Sequence, residues 1–222
     1  MVRISKEIEL VIWDWNGTLF DDAEAALGAV RDLVDEGVGV LPGVESARMT
    51  LEEYRRVVEV PIINYYRHYF DTEVLTFDMI QHAFHRDYGR RSEDCSLADG
   101  AKELLASLKA RGVRQAIISS FEQESLVGYA NRFGIEGYFD FISGASDRNC
   151  ESKVERAMAV CRREEIDPGR TVVIGDMLHD FEMAEALGAK AILVCSGHQC
   201  REVLSTAGAE VADSLRDIEV EA

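Results

Sequence analysis

The stretch Ile8-Glu-Leu-Val-Ile-Trp-Asp14-Trp15-Asn16-Gly17-Thr18 decides how this chain is read. Ile8 to Trp13 is a short, mostly apolar run. It stops at an acid and then at Asn-Gly, a turn-forming pair. Such a run reads as a buried strand that ends abruptly in a tight turn. Three similar runs follow, Val113 to Ser119, Thr171 to Gly175 and Lys190 to Cys195, with a weaker one from Tyr138 to Ser143. Helical patterns lie between them. Asp99 to Arg111 ends at Gly112, Ser125 to Phe133 at Gly134, and Phe181 to Leu187 at Gly188, each a suitable C-cap. Lys153 to Glu165 runs into the turn Asp167-Pro168-Gly169. Alternating strand and helix predicts an α/β fold, a Rossmann-like parallel sheet with helices on both faces.

Residues 22–92 break that alternation and read as helical throughout. Thr50 and Glu53 fit a capping box, and Pro61 suits the first turn of another helix. Asn64 to Phe70 is dense in aromatics, as expected of a helix packing the insert's own core. The expected organisation is a core of residues 1–21 and 93–222, interrupted after its first strand by a helical cap of residues 22–92.

Composition narrows the function. The net charge of −17 repels nucleic acid, and no run of Lys and Arg offsets it. No apolar run is long enough for a membrane span, and Met1 to Leu10 lacks a signal peptide's apolar stretch. A soluble, cytoplasmic protein is expected; oligomeric state is not legible. The five cysteines are scattered, unlike a disulfide framework. Cys195, His198 and Cys200 lie close together, but their spacing matches no common zinc pattern.

In open parallel sheets, ligands bind beyond the carboxyl ends of the strands. There the first strand delivers Asp14 and Asn16, the second Ser119 and Ser120, the fourth Asp176 and Asp180. Lys153 opens the helix after the weak strand, and Gly17 and Thr18 offer backbone donors in the turn. Carboxylates converging at one rim suit Mg²⁺, a hard cation held by a few carboxylates and a substrate phosphate. Ser119 and Lys153 suit the oxygens of a transferring phosphoryl group, and an aspartate can carry that group covalently.

These residues resemble the haloacid dehalogenase superfamily of hydrolases. Its first motif, D-x-D-x-T, stands here as Asp14-Trp15-Asn16-Gly17-Thr18. Its second is Ser119 in AIISS, its third Lys153 in ESKVERA, and its fourth, G-D-x-x-x-D, is Gly175 to Asp180. The insert falls where that family places its C1 cap, and residues 97–120 look like its phosphoglycolate phosphatase branch. The resemblance implies a magnesium-dependent phosphatase of a small phosphorylated metabolite. Asp14 would be the nucleophile and a metal ligand. The residue 16 carbonyl and Asp176 would be further ligands, with Asp180 acting nearby. Ser119 and Lys153 would bind the phosphoryl group.

Asn16 departs from the pattern, because most phosphatases of the family carry an acid–base aspartate there. Asn16 keeps the carbonyl but cannot exchange a proton near neutral pH. A weakly catalytic or purely binding relative is therefore an alternative. Carbon–halogen hydrolysis needs no metal, which the paired acids Asp176 and Asp180 oppose. Phosphonate cleavage usually calls on a cap lysine, and residues 22–92 contain none. His68, His82 and His85 lie in the expected cap, and one could reach in as a substitute acid. His179 and His198 lie nearer the rim, as candidate substrate contacts.

Overall fold

A computed structural model describes residues 1–145 and 152–221. After a short strand β1 (Val2–Ile4), the first core strand is β2 (Leu10–Trp13), followed by β3 (Phe20–Asp21). The insert then contributes α1 (Ala23–Glu36), α2 (Leu51–Val57), α3 (Ile62–Tyr66) and α4 (Phe77–Ser92). The chain returns through β4 (Ser96–Leu97) to α5 (Ala101–Ala110), β5 (Arg114–Glu122), α6 (Gln123–Arg132) and β6 (Phe141–Ala145). It continues with α7 (Lys153–Arg163), β7 (Thr171–Gly175), α8 (Leu178–Leu187), β8 (Lys190–Val194), α9 (Arg201–Leu204), β9 (Glu210–Ala212) and β10 (Ile218–Val220).

The main sheet has six strands in the order β6-β5-β2-β7-β8-β9, all parallel. This is the doubly wound arrangement, with connections diverging to either side of the first strand. Side chains alternate across β2. Val11 and Trp13 pack with α5 and α6, whereas Leu10 and Ile12 pack with α7 and α8. A strand buried on both faces has no polar side, so its sequence reads as one continuous apolar run.

Residues of the insert build a separate hydrophobic cluster, from Ala23 to Tyr88, that includes Tyr65, Tyr66 and Phe70 of the aromatic run. The insert is not helical throughout, as its composition suggested. Gly37, Gly39 and Gly43 all take positive φ, and apart from a short turn at Ser46–Arg48 the chain from 37 to 50 is irregular. Thr50 does cap α2, its hydroxyl accepting from Glu53 N at 3.2 Å. The two strands joining insert to core, β3 and β4, pair antiparallel, Phe20 with Leu97 and Asp21 with Ser96.

Other boundaries shift for local reasons. β5 runs past Ser119 to Glu122, with a register irregularity between Ile118 and Glu122. α8 begins at Leu178 instead of Phe181, because Asp180 accepts backbone bonds at its first turn. The short strands β1, β9 and β10 carry too few residues to show a period. No helix of the described residues is long and apolar enough to cross a membrane.

Candidate active site

The carboxyl ends of β2 and β7 lie side by side, with Asp14 N donating to Ile174 O at 2.9 Å. That pairing sets Asp14 beside the turn after β7. There Asp180 Oδ2 accepts from Asp176 N at 3.2 Å and Met177 N at 3.1 Å. An added Cβ on Gly175 would meet the Asp180 side chain at 2.3 Å, so only glycine leaves room for this contact. Gly17, at φ 71°, turns the chain away, and a Cβ there would strike Asp176 Oδ2 at 2.1 Å. Asp176 accepts from Thr18 Oγ1 at 3.1 Å and from His198 N at 2.5 Å.

Asp14, Asp176 and Asp180 are buried, with carboxylate oxygens within 4.8 Å of one another. Lys153 Nζ donates to Asp14 Oδ1 at 2.8 Å and lies 3.4 Å from Asp180 Oδ1. Its α7 starts with a capping box between Ser152 and Glu155. One ammonium does not balance three carboxylates. Burial pushes the Asp14 carboxyl up, Lys153 pulls it down and Asp180 pushes it up again, leaving it raised. Burial, with repulsion from Asp180 and Asp14, pushes Asp176 up to about 7 against the pull of His198. Burial opposes the charge of Lys153, but Asp14 and Asp180 hold its pKa above the ordinary value. Acids this close favour protonation until a cation joins them. An all-oxygen donor set with surplus negative charge fits Mg²⁺.

Ser119 is buried, its hydroxyl accepting from Phe121 N at 3.0 Å. Arg156 fixes that corner, donating to Ser119 O at 2.9 Å and to Gly144 O at 2.8 Å. Ser120 is exposed but, like Ser119, lines the same cavity as Asp14 and Lys153. The backbone donors expected from Gly17 and Thr18 are already engaged. Gly17 N donates to Phe20 O at 2.9 Å and Asp22 Oδ1 at 2.7 Å, and Thr18 N to Trp15 O at 3.3 Å.

Asn16 faces a polar cluster that the sequence did not reveal. Its amide donates to Asp22 Oδ2 at 2.8 Å and to Tyr88 OH at 2.9 Å, while Tyr88 OH donates to Asp22 Oδ2 at 2.6 Å. His198 completes the cluster, with Nε2 3.4 Å from Asp22 Oδ1 and Nδ1 2.7 Å from Tyr54 OH. Burial opposes the charge of His198, but Asp22 and Asp176 raise its pKa to about 9. Burial raises Asp22, but His198, Tyr88 and Asn16 together hold it below the usual carboxylate value. His198, expected as a substrate contact, spends both ring nitrogens within this wall.

The loop carrying His198 also ties core to insert. From α2, Arg55 Nε donates to Gly197 O at 2.7 Å and Arg55 Nη2 to Ser196 O at 2.5 Å. Gln199 Nε2 donates to Val58 O at 2.8 Å, and Cys200 N to Arg55 O at 3.0 Å. Cys195 contacts Asp213 instead, and among the described residues the cysteines and histidine of this segment form no metal-ligating group. His179 contacts Glu182 at 3.3 Å and reaches the cavity rim. His85 also lines the cavity, with burial and then His82 lowering its pKa.

A doubly wound sheet with buried acids clustered beyond its strand ends defines an α/β protein whose candidate site lies where open parallel sheets bind their ligands. Residues 11–194 match the family model described as haloacid dehalogenase-like hydrolase, and the chain belongs to that family. Among curated proteins it is 30% identical over 192 residues to the tyrosine-protein kinase PtkA of Mycobacterium tuberculosis, covering 86% of this chain. The chain spans 63% of that relative's length. It is 27% identical over 122 residues to the phosphoglycolate phosphatase of Synechococcus elongatus, covering 53% of this chain and 57% of that protein. Among solved structures, a predicted phosphatase from Clostridium acetobutylicum superposes with a TM-score of 0.74 at 23% identity, covering 94% and 95% of the two chains.

Proposed function

We propose that this chain is a magnesium-dependent phosphatase of a small phosphorylated metabolite, working through an aspartyl phosphate on Asp14. The observation that carries this reading is the buried triad of Asp14, Asp176 and Asp180 beside Lys153, with Asp14, Asp180, Lys153 and Ser119 lining one cavity. A phosphoglycolate phosphatase and a predicted phosphatase among its relatives support the same chemistry. PtkA, by its name a kinase, also moves a phosphoryl group.

Asp14, the residue 16 carbonyl and Asp176 would hold Mg²⁺, with Asp180 close by. Bound there, the ion would offset the repulsion between an anionic nucleophile and an anionic phosphate. Asp14 attacks phosphorus as the ester P–O bond breaks, and the bonding electrons leave on the ester oxygen. Lys153 and the Ser119 hydroxyl hold the phosphoryl oxygens through the transfer. Water then attacks phosphorus, releasing inorganic phosphate and restoring Asp14. Residues 22–92 act as the cap over the core of residues 1–21 and 93–222, keeping bulk water out. A cytoplasmic site of action and the absence of a nucleic acid partner complete the reading.

Asn16 favours one alternative, a relative that binds its ligand without turning it over. A screen of phosphorylated metabolites with and without Mg²⁺, with Asp14→Asn as control, decides between them. Phosphate release that needs both Mg²⁺ and Asp14 is expected. A folded protein that binds such compounds and releases none would sink the enzyme reading.

A further inference from the structure

Asp14, Ser119, Lys153 and Asp180 line a cavity of about 340 Å³, a size suited to a small ligand. Much of the rest of its wall is apolar and aromatic, with Gln81, His85, Ser120 and His179 among its polar members. The insert contributes Val58, Ile62, Tyr66 and Phe84, and the core contributes Phe121 and Met177. The aromatic rings form a continuous set, with Phe84 stacked on Tyr88 at 5.5 Å and 6.3 Å from Tyr66. Two cations among the described lining residues are engaged by carboxylates. Lys153 is held by Asp14, and His198 faces Asp22.

The polar groups nearest residue 16 are saturated among themselves. The Asn16 amide spends itself on Asp22 and Tyr88. The Tyr88 hydroxyl donates to Asp22. His198 spends its ring nitrogens on Asp22 and Tyr54. A leaving group departing past residue 16 finds the donors of Asn16, Tyr88 and His198 already committed, and His85, which also lines the cavity, has its pKa lowered by burial and then by His82. A leaving group stable as an anion, and apolar enough for the aromatic part of the chamber, suits this arrangement.

Resting on the phosphatase reading above, we propose that the substrates are phosphate monoesters of uncharged aryl alcohols. A phenol has a pKa near 10, as in the tyrosine side chain, against about 15.7 for water, which alkyl alcohols resemble. Asp14 attacks phosphorus while the P–O(aryl) bond breaks, and the electron pair leaves on a phenoxide oxygen that the ring stabilises. The phenoxide takes its proton from solvent after release. Water then cleaves the aspartyl phosphate to inorganic phosphate. The ring buries its faces against Tyr66, Phe84 and Phe121, where a carboxylate or a second phosphate would be desolvated with no Lys or Arg among the described lining residues except Lys153, which Asp14 already holds.

Phenyl phosphate and cyclohexyl phosphate separate the two halves of the proposal, since they share size and apolarity but differ in leaving-group acidity. With the full-length protein and Mg²⁺, phenyl phosphate should exceed cyclohexyl phosphate in kcat by at least about 10²-fold, the scale of a missing general acid. Cyclohexyl phosphate should inhibit competitively, with an affinity within about threefold of the phenyl KM, since apolar burial is similar for both. Phosphoglycolate and pyrophosphate should be poorer in kcat/KM than phenyl phosphate. Turnover with phosphoglycolate or pyrophosphate preferred overturns the aryl proposal and leaves the phosphatase reading standing. If no compound is hydrolysed, the phosphatase reading fails instead. The chamber is then tested by calorimetry with phenylphosphonate and phosphonoacetate. Phenylphosphonate should bind at least about tenfold tighter, a preference that Phe84→Asp should remove; equal affinity would overturn the proposal.

Discussion

Replacing Asn16 with Asp returns an acid to the leaving group, and the geometry sets what kind of acid it is. An oxygen standing where Asn16 Nδ2 now stands would lie 2.8 Å from Asp22 Oδ2. Two unit charges at that separation repel by about 6 kcal/mol at an effective dielectric of about 20. That corresponds to about four pKa units, so the pair carries one proton near neutral pH. Asp22 already accepts from Gly17 N and Tyr88 OH and faces His198, which stabilises its charged form. The shared proton therefore sits on the introduced carboxyl, where a leaving oxygen can take it. General acid catalysis contributes about 10²- to 10⁴-fold, and at least about tenfold is expected here for cyclohexyl phosphate. Phenyl phosphate, which needs little protonation, should gain less than about threefold. Tyr88 loses its donor from residue 16, at a cost of about 1 kcal/mol, a fall in Tm of about 2–4 °C. The assay is phosphate release from both esters across pH 5–8, with Tm and Mg²⁺ affinity measured on the same samples. The reasoning is refuted if a folded, metal-competent variant hydrolyses cyclohexyl phosphate no faster than the parent, or if both esters speed up equally.

Four further outcomes are expected. Crystals soaked in Mg²⁺ should show density about 2.0–2.1 Å from Asp14, the residue 16 carbonyl and Asp176, and a site still empty at saturation would remove the metal from the proposal. Lys153→Ala should lower kcat by at least about 10²-fold with an unchanged circular dichroism spectrum, whereas a change in KM alone would place Lys153 outside the transition state. Arg55→Ala removes two charge-assisted bonds to the 196–197 carbonyls, so it should cost about 1–2 kcal/mol and raise hydrogen exchange in residues 196–200. Unchanged exchange there would show that the tie is not what holds the insert down. Bonds from Arg86, helped by Arg90, hold the buried Asp87 carboxyl below its ordinary pKa. A depressed carboxyl contributes stability above about pH 4 and loses it as pH falls further. Asp87→Asn should then lower Tm at pH 7 by the equivalent of about 1 kcal/mol, since both guanidinium partners are solvent-exposed, and flatten the fall in Tm below pH 4.

By itself the sequence determined five of the six strands of the main sheet, and it named the residues expected at their carboxyl ends. Those five strands are local apolar runs with local stop signals, and Asp14, Ser119 and Asp176 each sit at such a stop, whereas Lys153 was placed by the helix it opens. Asp14, Ser119 and Asp176 could be placed at one rim because parallel strands end on the same side. The family match over residues 11–194 agrees with that reading. What only the tertiary structure decided depends on pairs far apart in the chain. Asn16 meets Tyr88, and His198 meets Tyr54 and Asp22, across separations that no periodicity encodes. The irregular stretch after Gly37 escaped notice because its glycines act through backbone angles that composition only hints at. The backbone donors of Gly17 and Thr18 were legible as donors, but their partners were not. The apolar chamber is the plainest case. Its residues read as ordinary core of an amphipathic insert, and only the folded chain brings Val58, Ile62, Tyr66 and Phe84 into one cavity with Asp14 and Lys153. Local pattern fixes which residues must be buried; the three-dimensional packing decides against what.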